Sequence, residues 1–246
     1  MVTKEDIVDD NTNLYNQCLS IIALNAPSMI RAKNTEELYQ IACRGGAGSE
    51  IAIKRLKQIY PEHKMTNETI HQAVQELRSG EDDSSLKYGP IEFWDVSGVT
   101  DMNSLFDSYH GFNEDISRWS VSSVTTMDHM FFYCCDFNSD ISKWSVSSVT
   151  TMKHMFCYCK KFNSDISNWN VSNVTDMRSM FCHCYQFNRD LSQWSVSSVT
   201  TMHAMFYCCS KFNSDLSKWS VSSVTNAGNI FDNCYSLKLE FKPIFK

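Results

Sequence analysis

The chain has no surplus of positive charge, no long apolar run and no catalytic signature. Its 246 residues carry 22 Lys and Arg against 28 Asp and Glu, a formal net charge of −6. Phosphate contacts need clustered excess cation, so nucleic acid is not an expected partner. No uninterrupted apolar stretch approaches the roughly 18–20 residues of a membrane-spanning helix, so no membrane span is expected. The opening Met1-Val2-Thr3-Lys4-Glu5-Asp6 lacks the basic flank and apolar stretch of a secretory signal, which points to a cytoplasmic protein. A nucleophile elbow, a phosphate-cradling Gly-rich loop and an H-E-x-x-H pair are missing too. No catalytic residue, cofactor or metal is therefore expected, and the chain reads as a non-enzyme. At 43% hydrophobic it can nonetheless bury a core.

What is present is a repeat. Trp94, Trp119, Trp144, Trp169, Trp194 and Trp219 recur every 25 residues without insertion or deletion. Val96 to Val221 and Val99 to Val224 keep the same spacing, as do Phe106 to Phe231 and Phe112 to Phe212, the last column ending in Leu237. A methionine column runs from Met102 to Met202 and breaks at Ala227. Fixed-phase apolar residues at this period mean coils stacked along one axis, each covering its neighbour's apolar side.

In the second copy the alternation Trp119-Ser120-Val121 predicts a short strand with Ser120 outward. Val124, Met127, Met130 and Phe131 then fall at helical or 3₁₀ spacing, with Thr125 as N-cap. Ile116, Trp119 and Val121 fall as L-x-x-L-x-L. The full pattern W-x-V-S-x-V-T-x-M-x-x-M-F-x-x-C-x-x-F-N-x-D-[IL]-S, nearly unbroken from Trp94 to Ser217, resembles the BspA-like leucine-rich-repeat family, including its bacterial surface-protein branch. That resemblance implies recognition or scaffolding and brings no catalytic residues. The expected fold is α/β: a leucine-rich-repeat-like solenoid of six coils, each a short parallel strand plus a short helix, with an α-helical N-terminal cap.

Residues 1–86 lack the 25-residue phase and read as a helical cap or small domain, with 87–246 as the repeat and its degenerate C-terminal end. Ile70, Ala73, Val74 and Leu77 predict one helix, capped by Thr66 and ended by Gly80. Ile53, Leu56 and Tyr60 mark another, residues 36–43 a third, and residues 81–85 a polar linker.

Eleven cysteines include the column Cys134, Cys159, Cys184, Cys209 and Cys234, read as a ladder of small buried side chains. The pairs Cys157-Tyr158-Cys159 and Cys182-His183-Cys184, with His154 near, raise the alternative of zinc, but C-x-C aims its two sulfurs apart. Asp115, Asp140, Asp165, Asp190 and Asp215, with the asparagines two residues earlier, form even columns. An enzyme needs one asymmetric pocket, so these are read as turn and bridging groups that lie near water or are tightly hydrogen-bonded.

The candidate binding residues are the outward ones. On the strand face they are Arg118, Lys143, Asn168, Gln193 and Lys218, beside Ser120, Ser145, Asn170, Ser195 and Ser220. On the helix side they are Asp128, His129, Lys153, His154, Arg178 and His203. Regular faces of this kind suit extended protein contacts, so the expected function is protein binding or scaffolding with a protein partner. An exported cell-surface adhesin is the alternative. An ice-binding lattice of hydroxyls fits less well, because Ser lacks the Thr methyl and the charged column interrupts the surface.

Overall fold

The computed structural model describes residues 63–80 and 87–245, together with Leu38, Ala52, Lys54 and Ile59. The helices expected around residues 36–43 and 53–60 and the linker at 81–85 lie largely outside the described residues. Two compact units are present, one of Met1–His63 with Leu86–Gly89 and one of Lys64–Ser85 with Pro90–Lys246. These bounds differ from the 1–86 and 87–246 division drawn from periodicity. In the first unit Leu38, Ala52 and Tyr88 are buried, and the Lys87 ammonium lies 4.5 Å from the centre of the Tyr88 ring.

The second unit opens with helix α1 (Asn67–Ser79). Thr66 caps it by accepting from the Thr69 N–H while the Thr69 side chain answers the Thr66 N–H, and Gly80 ends it at φ 69°. Ile70, Ala73 and Val74 are buried on one face, as their spacing predicts. Asn67 and Arg78, on the same stripe as Val74, meet the first coil. Asn67 Oδ1 accepts from the N–H groups of Thr100 and Asp101, and Arg78 donates to the carbonyls of Asp107 and Ser108.

The coils correct the α/β expectation. Among the described residues there is no strand, only six isolated parallel bridges, of which five run Asp101–Thr126–Thr151–Asp176–Thr201–Asn226. The segment expected to be helical is a run of tight turns, so the strand-plus-helix solenoid is not what forms. The cause lies in two left-handed residues per coil: Ser104 and Ser108 in the first, His129 and Tyr133 in the second, and their counterparts through Asn229 and Asn233, all with φ between 52° and 65°. Left-handed residues four apart stop a right-handed helix before it completes a turn.

Their effect on the backbone is an alternation. Met102, Ser104, Phe106 and Ser108 each donate an N–H to the next coil, to Thr126, Asp128, Met130 and Phe132, at 2.7–3.1 Å. The residues between them, Leu105, Asp107 and Tyr109, donate back three places within their own coil. Each later coil repeats the scheme up to the sixth. Every second amide thus joins coil to coil while its neighbour closes a turn, so backbone groups are paired without a continuous ladder or helix. Thr125 is not an N-cap: its N–H and its hydroxyl both donate to the Thr100 carbonyl one coil back.

Side chains stack in the same register. Trp94, Trp119, Trp144 and Trp169 lie 6.3–6.5 Å apart ring to ring. Phe106, Phe131, Phe156, Phe181, Phe206 and Phe231 follow at 5.4–5.8 Å. Each of Trp119, Trp144, Trp169, Trp194 and Trp219 satisfies its indole N–H on a carbonyl 28 residues back, at 2.9–3.1 Å. The alternation around Ser120 survives without a strand, since Trp119 and Val121 are buried and Ser120 is exposed.

Candidate functional site

The constant polar columns are consumed by the architecture. Asn113, Asn138, Asn163 and Asn188 each accept, through Oδ1, the backbone N–H of the asparagine one coil on. The aspartates two residues later accept the N–H of the residue two places ahead, closing a turn in five of the six coils. These bonds favour the carboxylate. For Asp140 and Asp215 the Ser142 and Ser217 hydroxyls lower the pKa most, and for Asp165 and Asp190 the backbone N–H does. All five aspartates are exposed, as like charges repeated in every coil require.

The cysteine column is equally structural. Cys134, Cys159, Cys184, Cys209 and Cys234 are buried, and each thiol donates to the phenylalanine carbonyl 28 residues back at 2.8–3.0 Å. Burial pushes these thiols up, Cys234 to about 12. Outside the column, Cys157 lies one coil from Cys182, and a hydrogen bond between the two lowers the Cys182 pKa. Among the described residues no three His, Cys, Asp or Glu side chains converge to hold a metal ion.

The outward candidates fall on two separate faces. Arg118, Lys143, Asn168, Gln193 and Lys218 form one exposed column, and Ser120, Ser145, Asn170, Ser195 and Ser220 another two residues on. Arg118 lies over the Phe93 ring at 5.7 Å. Toward the last coils Gln193 and Lys218 border an open polar hollow of about 490 Å³, with Arg189, Asp190, Asn213 and Phe241. Arg189 stands where the neighbouring coils have Ser164 and Ser214, both buried.

On the other face the structure sorts the six candidates differently. Asp128 is an internal clip: its Oδ1 accepts from the Thr151 hydroxyl and the Lys153 N–H, as Asn103 does one coil earlier for Thr126 and Asp128. Arg178 pairs with Asp176 two residues away. His129 and His154 stack at 4.8 Å on the left-handed turns, whereas His203 sits one place earlier in its coil, in line with Lys153 and Arg178. Burial lowers both stacked imidazoles, His154 to about 4, and leaves His154 Nδ1 without a hydrogen-bond partner among the described residues.

Beside these histidines runs a half-buried aromatic row that the sequence reasoning missed. Tyr133 stacks on Tyr158 at 4.1 Å and Tyr158 on His183 at 4.3 Å. Phe132 meets His129 and His154 edge-on, and His183 bonds the Tyr185 hydroxyl at 3.0 Å. The signal was present in the sequence as Tyr133, Tyr158 and His183 at one phase, masked by the cysteines around them.

This geometry defines a repeat protein of stacked 25-residue coils. Residues 72–174 and 142–243 each match the model of the family described as Mycoplasma protein of unknown function, DUF285. The matches cover more than half of the chain, which belongs to that family. No curated protein and no solved structure matches the chain. Among the described residues no helix is long and apolar enough to cross a membrane.

Proposed function

We propose that the chain is a non-enzymatic protein-binding scaffold whose partner lies along the column from Arg118 to Lys218. One observation carries this reading. The constant Trp, Phe, Cys, Asn and Asp columns are spent on stacking and turn closure, while this exposed column changes residue along its length, Arg, Lys, Asn, Gln, Lys. A uniform device needs no such variation, whereas a partner read along several coils does. The polar hollow beside Gln193 and Lys218 supplies an asymmetric feature where one partner side chain could be held. Kinship with the BspA-like leucine-rich repeats belongs to the same proposal and rests on the shared phases of Trp, Val, Met, Phe and Asn. A cytoplasmic location is proposed with it.

Affinity capture from the native source tests the reading, using the intact chain beside a Lys143→Glu, Lys218→Glu variant. A protein retained by the first and lost with the second supports it. Equal retention, or none, rejects it. Counting free thiols in protein from that source addresses location: about eleven supports the cytoplasm, and few supports export.

A further inference from the structure

Within the turn segment coil-to-coil bonding runs one way, while the N–H and hydroxyl of Thr125 and its counterparts bond back to the preceding coil. Each coil sends four alternate N–H groups forward and receives them on four alternate carbonyls. At the first coil α1 meets two of the four receiving carbonyls, since Arg78 donates to Asp107 and a ring nitrogen of His71 lies 2.9 Å from the Asn103 oxygen. At the sixth coil the forward-facing groups are the N–H donors of Ala227, Asn229, Phe231 and Asn233, and among the described residues none has an acceptor.

The apolar surface around that edge is only partly covered, with the Lys242 ammonium 5.6 Å from the centre of the Phe231 ring. Phe231 is partly exposed, whereas Phe106 to Phe206 in the same column are at most 1% exposed. Leu239 is 80% exposed where Ser164 and Ser214 are buried, and Ile244, 25 residues beyond Trp219, is 89% exposed.

We propose that this edge is a docking site for a coil of the same repeat supplied by a different polypeptide. Complementarity selects the occupant. Beside the Thr225 carbonyl the edge presents four donors in a row, and four donors cannot pair with the same four donors of a second copy, so two copies meeting edge to edge leave the row unsatisfied. Nor can a second copy offer its first coil, because α1 already occupies that acceptor edge. The occupant is a segment with carbonyls at alternate residues, left-handed turns between them and an apolar side to cover Phe231. Five internal joints demonstrate that fit. The site is distinct from the Arg118–Lys218 column, and either can fail without the other.

The probe is a synthetic peptide of residues 97–112, the cysteine-free first-coil segment that carries the acceptor carbonyls. Amide hydrogen exchange is followed on the full chain. In the free protein the amides of Ala227, Asn229, Phe231 and Asn233 exchange freely, while Met202, Ala204, Phe206 and Cys208 one coil back are protected. Adding the peptide slows the four edge amides by about tenfold or more, and a scrambled peptide does not. Asn229→Asp with Asn233→Asp, which keeps residues that tolerate positive φ but sets carboxylates beside the incoming carbonyls, weakens the protection at least about tenfold. No protection, equal protection by the scrambled peptide, or protection that grows with the chain's own concentration would overturn the proposal.

Discussion

At the residue scale, the cysteines divide by what their sulfur touches. Those from Cys134 to Cys234 are buried and bonded to a carbonyl, and thiolate formation is opposed by burial. Cys135, Cys182 and Cys208 are only partly buried. Among the described cysteines, timed alkylation of the native protein followed by mass spectrometry is expected to label these three first and the buried column only after denaturant. The stacked histidines respond to acid. With His154 lowered to about 4 by burial, and by His129, Lys153 and Arg178 beside it, the unfolded chain takes up a proton near 6.5 that the folded chain refuses. Stability is therefore full above about pH 6.5 and declines as pH falls toward 4, and His154→Gln flattens that decline in urea titrations across the range. In the sequence, inward and outward residues were legible from phase alone, as were the turn-closing aspartates. The internal use of Asp128 was not, because a carboxylate that clips the next coil and one that meets a partner have the same composition.

At the scale of the coil, the apolar spacing of Val124, Met127, Met130 and Phe131 read as helix for a physical reason. Successive three-residue turns return a side chain to the interior about as often as a helix does. What separates the two is backbone sign, of which Tyr133 gives no hint and His129 only a weak one, since His adopts positive φ more readily than most residues but far less than Gly. The last coil, with Asn229 and Asn233 at those positions, shows the preference most plainly. The consequence can be tested at Ala204, which has φ 53°. Ala204→Gly is expected to raise stability by up to about 1 kcal/mol, and Ala204→Val to lower it by about 1–2 kcal/mol, in chemical denaturation. Helix α1 was legible throughout because Thr66, the 70–77 spacing and Gly80 agree with one another.

Across the repeat unit, stability is shared between neighbouring coils, so a central lesion should cost more than a terminal one. Trp144→Ala removes a buried ring stacked on both sides and the bond to the Ile116 carbonyl, an expected loss of about 3–5 kcal/mol. Arg78→Ala strips two of the hydrogen bonds that α1 makes to the first coil, an expected loss of about 1–2 kcal/mol. A deletion of residues 1–86 would remove α1 as well as what precedes it, so it cannot separate the head from the coils. Periodicity placed the boundary there because α1 carries no repeat phase, although its hydrogen bonds run to the first coil. The most direct test of the stacked-coil account is scalar coupling through hydrogen bonds in the labelled protein. The amide nitrogens of Met127, His129, Phe131 and Tyr133 should couple to the carbonyl carbons of Thr151, Lys153, Met155 and Cys157, each 24 residues ahead. Couplings to carbonyls four residues behind, the signature of a helix, would contradict it.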